Sequence, residues 1–323
     1  MNKHSTGWIA ALGCAAALAL TPALAQNVKI TSLGTHEGEF CAQDRALVFE
    51  DPNGTRVLYD PGRSVMGASD PRLGKIDIIL VSHMHGDHAG NVHIEKMNDG
   101  ECGNPKTPVK ATPNSNAVNI ALAKKSKMVT GSEMQAFFAA KLAANGGSAG
   151  DSLLARFGGS RTVNGIKIAT VTAAHSNGLD PDYIGGELAE TMKKNGIAAY
   201  VGEATGYVVT FTNGLVAYLS GDTGMVSEME TVVRNHYHAK LAVMNIGDNF
   251  TTGPVEAAYV INDLVKPNTV IASHANEAGT QGGKPRAGSK TEAFVKASKV
   301  TTIVPLSGKA MEFDSNGKCV AGC

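Results

Sequence analysis

The sequence lacks an excess of charge of either sign. Its 323 residues include 29 Lys and Arg against 29 Asp and Glu, so it lacks the basic footprint of proteins that bind nucleic acids or anionic membranes. Beyond the N-terminal region, no apolar stretch approaches the roughly 20 residues needed to span a bilayer. No C-x-x-C pair occurs either, which argues against a redox site or a zinc ribbon. These absences give no indication of a nucleic-acid partner, a membrane span or a redox site.

The first 25 residues have the features of a secretory signal peptide. An apolar stretch runs from Trp8 to Leu20, and the small residues of Ala23-Leu24-Ala25 form a cleavage site. We therefore predict a periplasmic or secreted protein whose mature chain starts at about Gln26. Residues 26–323 are long enough to bury a large core, and we predict one domain.

Four cysteines remain after the signal peptide, namely Cys41, Cys102, Cys319 and Cys323. An even number of cysteines in an exported chain predicts two disulfides, although sequence alone allows three pairings. We favour Cys319–Cys323 as a C-terminal clip and Cys41–Cys102 as a link between an early loop and a later segment. Free or partly paired thiols are the alternative.

Four potential metal ligands, His83, His85, Asp87 and His88, lie within six residues. The apolar run from Ile76 to Val81 predicts a buried strand that delivers them at its C-terminal end. Side chains alternate in an extended segment, so His83 and His85 point the same way and can bind one ion. The chain then turns at a glycine, and Asp87 and His88 can face a second ion. Imidazole and carboxylate are the ligands of a catalytic zinc when no thiolate is used.

Further strand-like runs also end on ligand-type residues. Apolar, β-branched residues lead into His175, Asp222 and His274, and an earlier strand, Arg56 to Asp60, ends on a carboxylate. This order, together with the pattern His-x-His-x-Asp-His, resembles the metallo-β-lactamase superfamily. The resemblance covers nearly all of the mature chain and implies an α/β fold, a four-layer αβ/βα sandwich.

The resemblance also implies how the ligands divide between two ions. The implied assignment is His83, His85 and His175 on one ion, Asp87, His88 and His274 on the other, and Asp222 bridging them. In relatives, the residue matching Asp60 supports the site from behind by orienting a ligand. A carboxylate that caps the turn at Pro61-Gly62 is the alternative for Asp60.

Two other stretches refine the prediction. The run from Asn245 to Ala258 resembles a branch of the superfamily that includes uncharacterised metal-dependent hydrolases and the L-ascorbate-6-phosphate lactonase. Residues 93–160 differ in composition, and we predict a helical insertion around the mouth of the site, with helices over Asn116–Lys125 and Ser132–Ala144.

The ligand set predicts a metal-dependent hydrolase. Two divalent ions about 3.5–4 Å apart can share a water and lower its pKa, so that hydroxide attacks the substrate. Zinc is the expected metal, although manganese or iron fits the same ligands. Asp87 is the predicted catalytic residue, because it can orient the attacking hydroxide and take its proton. The predicted substrate is a small lactone, ester or amide.

Two alternatives stay open for the function. A phosphodiesterase uses the same dinuclear centre, and a cluster of Arg, Lys or Ser on the pocket wall would favour it. Arg45, Arg63 and Arg72 lie in loops whose direction the sequence does not give. A non-catalytic metal-binding protein is the other alternative. His36 has either a substrate or supporting role near the mouth or none, and the oligomeric state is left open.

Overall fold

The computed structural model describes residue 1, residues 27–109 and residues 115–323. Apart from residue 1, the predicted signal peptide lies outside the described residues. Among the described residues, no helix has both the length and the apolar character needed to cross a membrane.

The described residues form strands and helices along their whole length. The strands are β1 (Val28–Ser32), β2 (Leu47–Glu50), β3 (Arg56–Tyr59), β4 (Ile78–Leu80), β5 (Val92–His93), β6 (Thr107–Pro108), β7 (Lys127–Thr130), β8 (Ser152–Leu154), β9 (Ser160–Val163), β10 (Ile166–Thr172), β11 (Gly178–Leu179), β12 (Ala199–Tyr200), β13 (Thr205–Thr210), β14 (Val216–Leu219), β15 (Leu241–Asn245), β16 (Thr269–Ser273), β17 (Thr280–Gln281), β18 (Lys284–Pro285), β19 (Thr301–Ile303), β20 (Ala310–Phe313) and β21 (Cys319–Ala321). The α-helices are α1 (Asn116–Lys124), α2 (Met134–Ala144), α3 (Gly186–Asn195), α4 (Pro254–Tyr259) and α5 (Lys290–Ala297). Short 3-10 or π-helical turns span Gly86–Gly90, Ala149–Asp151, Pro181–Tyr183, Met229–Arg234 and Val260–Val265.

Two large sheets organise these elements. The eight-stranded sheet has the order β21-β20-β1-β2-β3-β4-β7-β8, and the seven-stranded sheet has the order β19-β16-β15-β14-β13-β10-β9. The strands β3, β4, β7 and β8 run parallel in the first sheet, as do β14, β15, β16 and β19 in the second. Each run of parallel strands brings its C-terminal ends to one edge of its sheet.

The sheets pack face to face, and each carries helices on its outer face. On β15, Leu241 and Val243 belong to the core between the sheets, whereas Ala242 and Met244 pack with Ile261 of the outer helical layer. Strands buried on both faces are continuously apolar, which explains the apolar runs that precede the ligand residues. The predicted four-layer αβ/βα sandwich is confirmed.

Residues 93–160 supply one outer layer of this sandwich. They contribute β7 and β8 to the first sheet, and α2 buries Met134, Phe138 and Leu142 in the apolar layer outside that sheet. Both predicted helices are present, and α2 starts at Met134 instead of Ser132. The segment is built into the sheet and its helical cover, because its apolar side chains pack there.

Short turns connect the antiparallel strands. Between β9 and β10, Asn164 and Gly165 have φ values of 50° and 85°, as the two-residue hairpin turn requires. Gly214, at the turn between β13 and β14, has a φ of 90°.

Two disulfides join the cysteines in the pairing favoured from the sequence. Cys41 bonds to Cys102, with Cα atoms 5.3 Å apart, and Cys319 bonds to Cys323. The first ties the loop before β2 to a segment 61 residues away, and the second closes the chain end across a separation of only 4 residues.

Candidate metal centre

The predicted ligands converge where the C-terminal ends of the strands meet. His83 follows β4, His175 follows β10, Asp222 follows β14 and His274 follows β16. The backbone N–H of Thr205 donates to the carbonyl of Ser82 at 2.9 Å and holds the two sheet edges together.

Gly221 permits the close approach of these edges. It has a φ of 60°, and a Cβ atom there would lie 2.9 Å from the carbonyl oxygen of Thr205 and 3.0 Å from the Cβ of Ser82. Its N–H donates to the hydroxyl of Tyr59 at 2.9 Å. A residue with a side chain would push Asp222 away from the histidines.

One group of ligands, here called the histidine set, consists of His83, His85 and His175. One nitrogen from each lies within 4.8 Å of the others. His83 is fully buried, while His85 and His175 are half-buried at the cleft. The Nε2 atom of His175 lies 3.3 Å from Nδ1 of His85. Three neutral imidazoles with one side open to a cleft are suited to a catalytic divalent ion.

A second group, the mixed set, consists of Asp87, His88, Asp222 and His274, again with one ligand atom each within 4.8 Å. Nε2 of His274 lies 2.9 Å from Oδ2 of Asp222 and 3.3 Å from Oδ2 of Asp87. Nε2 of His88 lies 3.2 Å from Oδ1 of Asp222.

Asp222 also faces the histidine set. Its Oδ2 atom lies 3.8 Å from Nε2 of His175 and 3.9 Å from Nε2 of His83. Thus one carboxylate lies between the two groups of ligands, as the implied bridge requires.

Several ligand atoms in the described part of the chain are buried and make no hydrogen bond of acceptable geometry, although oxygens of Asp222 lie close to two of the nitrogens. They are Nε2 of His83, of His88 and of His274, and Oδ1 of Asp222. Buried polar atoms are almost always satisfied, because an unpaired one costs about 1–3 kcal/mol. Unpaired atoms that converge on one point fit a metal, so this cluster is able to bind metal.

Asp60 lies directly behind these ligands. Its Oδ2 accepts from Nδ1 of His88 and from the hydroxyl of Ser82, both at 2.8 Å, and its Oδ1 accepts from the Ser82 N–H at 2.8 Å. Nδ1 of His83 lies 3.0 Å from the same hydroxyl. A proton on each Nδ1 leaves Nε2 free for a metal, which is the supporting role expected of such a carboxylate.

Electrostatics favour the metal-binding form of His83 and Asp222 but not of His88. Burial lowers the pKa of His83 well below its usual value, so this ring is neutral. Burial by itself raises the pKa of Asp222, but the adjacent His88 and His274 outweigh it and hold that pKa well below the usual range. A neutral imidazole and an ionised carboxylate are the forms that bind a metal. Burial by itself lowers the pKa of His88, but the carboxylates of Asp222, Asp87 and Asp60 outweigh it and hold that pKa well above the usual value, so metal binding has to displace a proton from this ring.

Arg45, one of the three loop arginines whose direction the sequence does not give, belongs to the site. Only 3% of the residue is exposed, and its guanidinium donates from Nη2 at 3.0 Å and from Nε at 3.3 Å to Oδ2 of Asp87. The available signal was weak: a charged residue stands immediately before the apolar run that forms β2. Arg72 instead pairs with Asp70 at 2.6 Å.

A cleft of about 710 Å³ opens over the ligands. Its floor includes His85, Asp87, His175, Asp222 and His274, and its walls include Arg63, Asp180, Pro181, Phe250 and Asn276. Clefts of this size accommodate small organic ligands.

His36 lies outside this cleft. It borders a separate surface depression together with Glu39, Glu101 and Arg286, so the structure does not bring it to the ligands. The stretch 146–150 reads Gly-x-Ser-x-Gly, but Ser148 is exposed at the start of a short 3-10 helix and is not among the residues lining the cleft. A serine nucleophile there has no support.

Comparison with known proteins agrees with this geometry. The family profile described as Beta-lactamase superfamily domain matches residues 43–274. A UPF0173 metal-dependent hydrolase of Koribacter versatilis is 29% identical over 284 residues, which cover 87% of this chain and 97% of that protein. Another, from Pelotomaculum thermopropionicum, is 32% identical over 224 residues, which cover 68% of this chain and 77% of that protein.

Solved structures share the fold. Igni18, described as a metallo hydrolase from Ignicoccus hospitalis, aligns with a TM-score of 0.58 at 19% identity, over 89% of this chain and 99% of that one. Because the profile match spans every ligand from His83 to His274, the chain belongs to the beta-lactamase superfamily and is one of its metal-dependent hydrolases.

Proposed function

We propose that this hydrolase uses two zinc ions and acts on an uncharged small molecule that carries a lactone, ester or amide bond. The position of Asp222 between the two ligand groups carries the proposal. Its Oδ2 atom is 2.9 Å from Nε2 of His274 and 3.8 Å from Nε2 of His175. A carboxylate in this place can contribute to two ions at once, as in two-metal hydrolytic sites.

The histidine set would hold one ion and the mixed set the other. Bound zinc supplies Lewis acidity and lowers the pKa of water, so that hydroxide is available near neutral pH. Nitrogen and oxygen ligands favour zinc, and manganese and iron remain the alternatives to be measured.

Asp87 is the residue proposed to handle the proton of the attacking water. Its side chain is 22% exposed and faces the cleft, whereas His83 behind it is fully buried. Burial raises its pKa, but His88, His274 and Arg45 together hold that pKa well below the usual range. The carboxylate is therefore ionised, which is the form that binds a metal and accepts a hydrogen bond from the attacking water.

The walls of the cleft support an uncharged substrate. Among the described residues that line it, Arg63 is the one Arg or Lys, and Asp180 brings a negative charge to the same cleft. Pro181 and Phe250 add apolar surface. A phosphodiester would gain from several cationic groups on the wall, which this cleft does not gather, so a neutral carbonyl compound fits better.

Export is part of the proposal. The apolar stretch from Trp8 to Leu20 and the cleavage site at Ala23-Leu24-Ala25 support it, and so do two disulfides, which persist in oxidising compartments. Mass spectrometry of the protein from cell fractions tests this point. A mature chain that begins near Gln26 in the periplasm or medium is expected, and an uncleaved chain in the cytosol would contradict it.

Metal analysis and a substrate panel test the chemistry. Purified protein should contain about two transition-metal ions per chain. A panel of chromogenic lactones, esters, amides and phosphodiesters, assayed with and without added zinc, should show metal-dependent turnover of carbonyl substrates. Turnover confined to phosphodiesters would replace the proposed substrate class, and a metal-free protein with intact ligands would refute the site.

A further inference from the structure

Arg45 is a buried cation that donates four hydrogen bonds. Besides its two hydrogen bonds to Asp87, Nη1 donates to the carbonyl of Ala42 at 2.8 Å and Nη2 donates to Oδ1 of Asn276 at 2.8 Å. Only 2% of its side chain is exposed. A buried charge is tolerated only when it is paired and hydrogen-bonded, so these partners fix the position of the Arg45 guanidinium.

Two partners of Arg45, Asp87 and Asn276, belong to two of the three segments that supply the mixed set. Asp87 is itself a member of that set, and Asn276 lies two residues after His274. His274 and Asn276 both adopt left-handed backbone conformations, with φ values of 51° and 55°. One guanidinium therefore connects two ligand-bearing loops that lie far apart in the chain.

The loop that carries Arg45 is itself held in place. Cys41 is disulfide-bonded to Cys102. The buried carboxylate of Asp44 accepts from the N–H of Cys41 at 2.9 Å and from the N–H of Thr35 at 2.8 Å. Gly34 packs so closely that a Cβ there would lie 2.1 Å from Oδ2 of Asp44. Arg45 thus projects from a braced loop.

The oxygen that Arg45 holds is the one that faces the ligand nitrogens. Oδ2 of Asp87 lies 3.3 Å from Nε2 of His274 and 3.6 Å from Nε2 of His88. A carboxylate oxygen has lone pairs for more than one partner. It can accept from the guanidinium and still offer a ligand electron pair.

We propose that Arg45 is a positioning residue for the ion of the mixed set, because it fixes the Asp87 carboxylate and ties it to the His274 loop before metal binds. The inference rests on the proposed two-ion site. The histidine set contacts neither Arg45 nor Asn276 through a hydrogen bond found among the described residues, so its ion should depend little on Arg45.

Zinc titration of the metal-free protein against a chromogenic chelator tests this inference. Arg45→Met removes the charge and the donors while keeping an unbranched apolar stem. Arg45→Lys keeps the charge, but one ammonium cannot reproduce the planar fork that reaches Asp87, Ala42 and Asn276 together. Arg234→Met is the matched control, since Arg234 pairs with Glu230 and donates to the carbonyl of Asp263, both in the helical turns outside the seven-stranded sheet.

Arg45→Met should lower the affinity for the second zinc ion, that of the mixed set, by about 10–100-fold, as removal of outer partners of metal ligands does. The first zinc should bind as in the wild type, and Arg45→Lys should fall between. Arg234→Met should lower the melting temperature and leave both zinc affinities unchanged. If Arg45→Met does not fold, the Lys variant decides through the same measurement.

Two results would overturn the inference, and they are distinguishable. If the wild type binds two zinc ions and both Arg45 variants bind them equally well, Arg45 has a structural role only. If the wild type binds a single zinc ion, the two-ion proposal fails and the inference about Arg45 fails with it.

Discussion

The two ligand groups are built differently although they share one cleft. The histidine set consists of three imidazoles, two of them half-buried at the cleft, with the hydroxyl of Ser82 beside the fully buried His83. The mixed set has two carboxylates among its ligands and two charged residues behind it, Asp60 and Arg45.

Because of this difference, metal binding by the mixed set should depend more on neighbouring residues than metal binding by the histidine set. Three neutral imidazoles can hold a divalent ion without compensating charges. The mixed set places like charges and buried histidines close together, and it needs fixed partners to hold them in position. We therefore expect the mixed set to be the more easily disrupted of the two, and the following predictions are arranged by the size of the expected effect.

Replacing Asp87 should have the largest effect on catalysis. Asp87→Asn removes the proton acceptor while keeping the shape of the side chain, and hydrolysis should fall by about 10²–10⁴-fold. The zinc of the histidine set should remain bound. Turnover rate and metal content of the variant are to be measured together. Asp182→Asn, at an exposed carboxylate paired with Lys193, is the control and should keep wild-type turnover; equal rates for both variants would remove Asp87 from the mechanism.

Asp222→Ala should remove the carboxylate that lies between the two ligand groups. Without the bridge, the zinc of the mixed set should be lost at limiting metal, while His83, His85 and His175 still complete a three-ligand site. Metal stoichiometry and melting temperature are the measurements. If Asp222 merely caps its strand, stability falls slightly and stoichiometry stays at the wild-type value, which would contradict the assignment.

Asp60→Asn should weaken the mixed set through its outer partner. The amide no longer provides the charged acceptor for Nδ1 of His88, and the affinity for the second zinc should fall by about 10–100-fold. Asp51→Asn is the control, because Asp51 accepts from the backbone N–H of Asn53 in the turn between β2 and β3 and from that of Thr212 in the turn between β13 and β14. Calorimetric zinc titration of both variants would test this, and an identical loss in both would point to general destabilisation.

The two disulfides offer the smallest and most selective test. Replacing Cys41 and Cys102 by alanine should make the loop that carries Arg45 less rigid. The affinity for the second zinc ion should fall, but by less than it falls in Arg45→Met. Replacing Cys319 and Cys323 should leave zinc binding unchanged. Both double variants should unfold at lower temperature, the first by more, because it opens a separation of 61 residues instead of 4. Equal zinc affinity in both double variants would show that the Cys41–Cys102 disulfide does not contribute to zinc binding.

Much of the site could be predicted from the sequence, since its ligands follow apolar runs. His83, His85, Asp87 and His88 share a single turn after β4, and the other ligands end strands that are apolar on both faces. The layered fold was implied by the resemblance to the metallo-β-lactamase superfamily, and the hairpin at Asn164-Gly165 was predictable because turn chemistry is a local property.

Other parts of the site depend on contacts between distant segments. Arg45 lies 42 residues from Asp87 and 231 residues from Asn276, and no periodicity connects them. His36 and Arg63 both lie in loops near the start of the chain, yet the structure places Arg63 at the cleft and His36 at a separate depression. The sequence by itself determined which residues can bind metal, because the ligand side chains and the apolar runs before them are visible in short stretches of sequence. Only the tertiary structure decided which charged residues contact the ligands from behind and which loops form the wall of the cleft. Those contacts depend on how the two sheets and their loops pack.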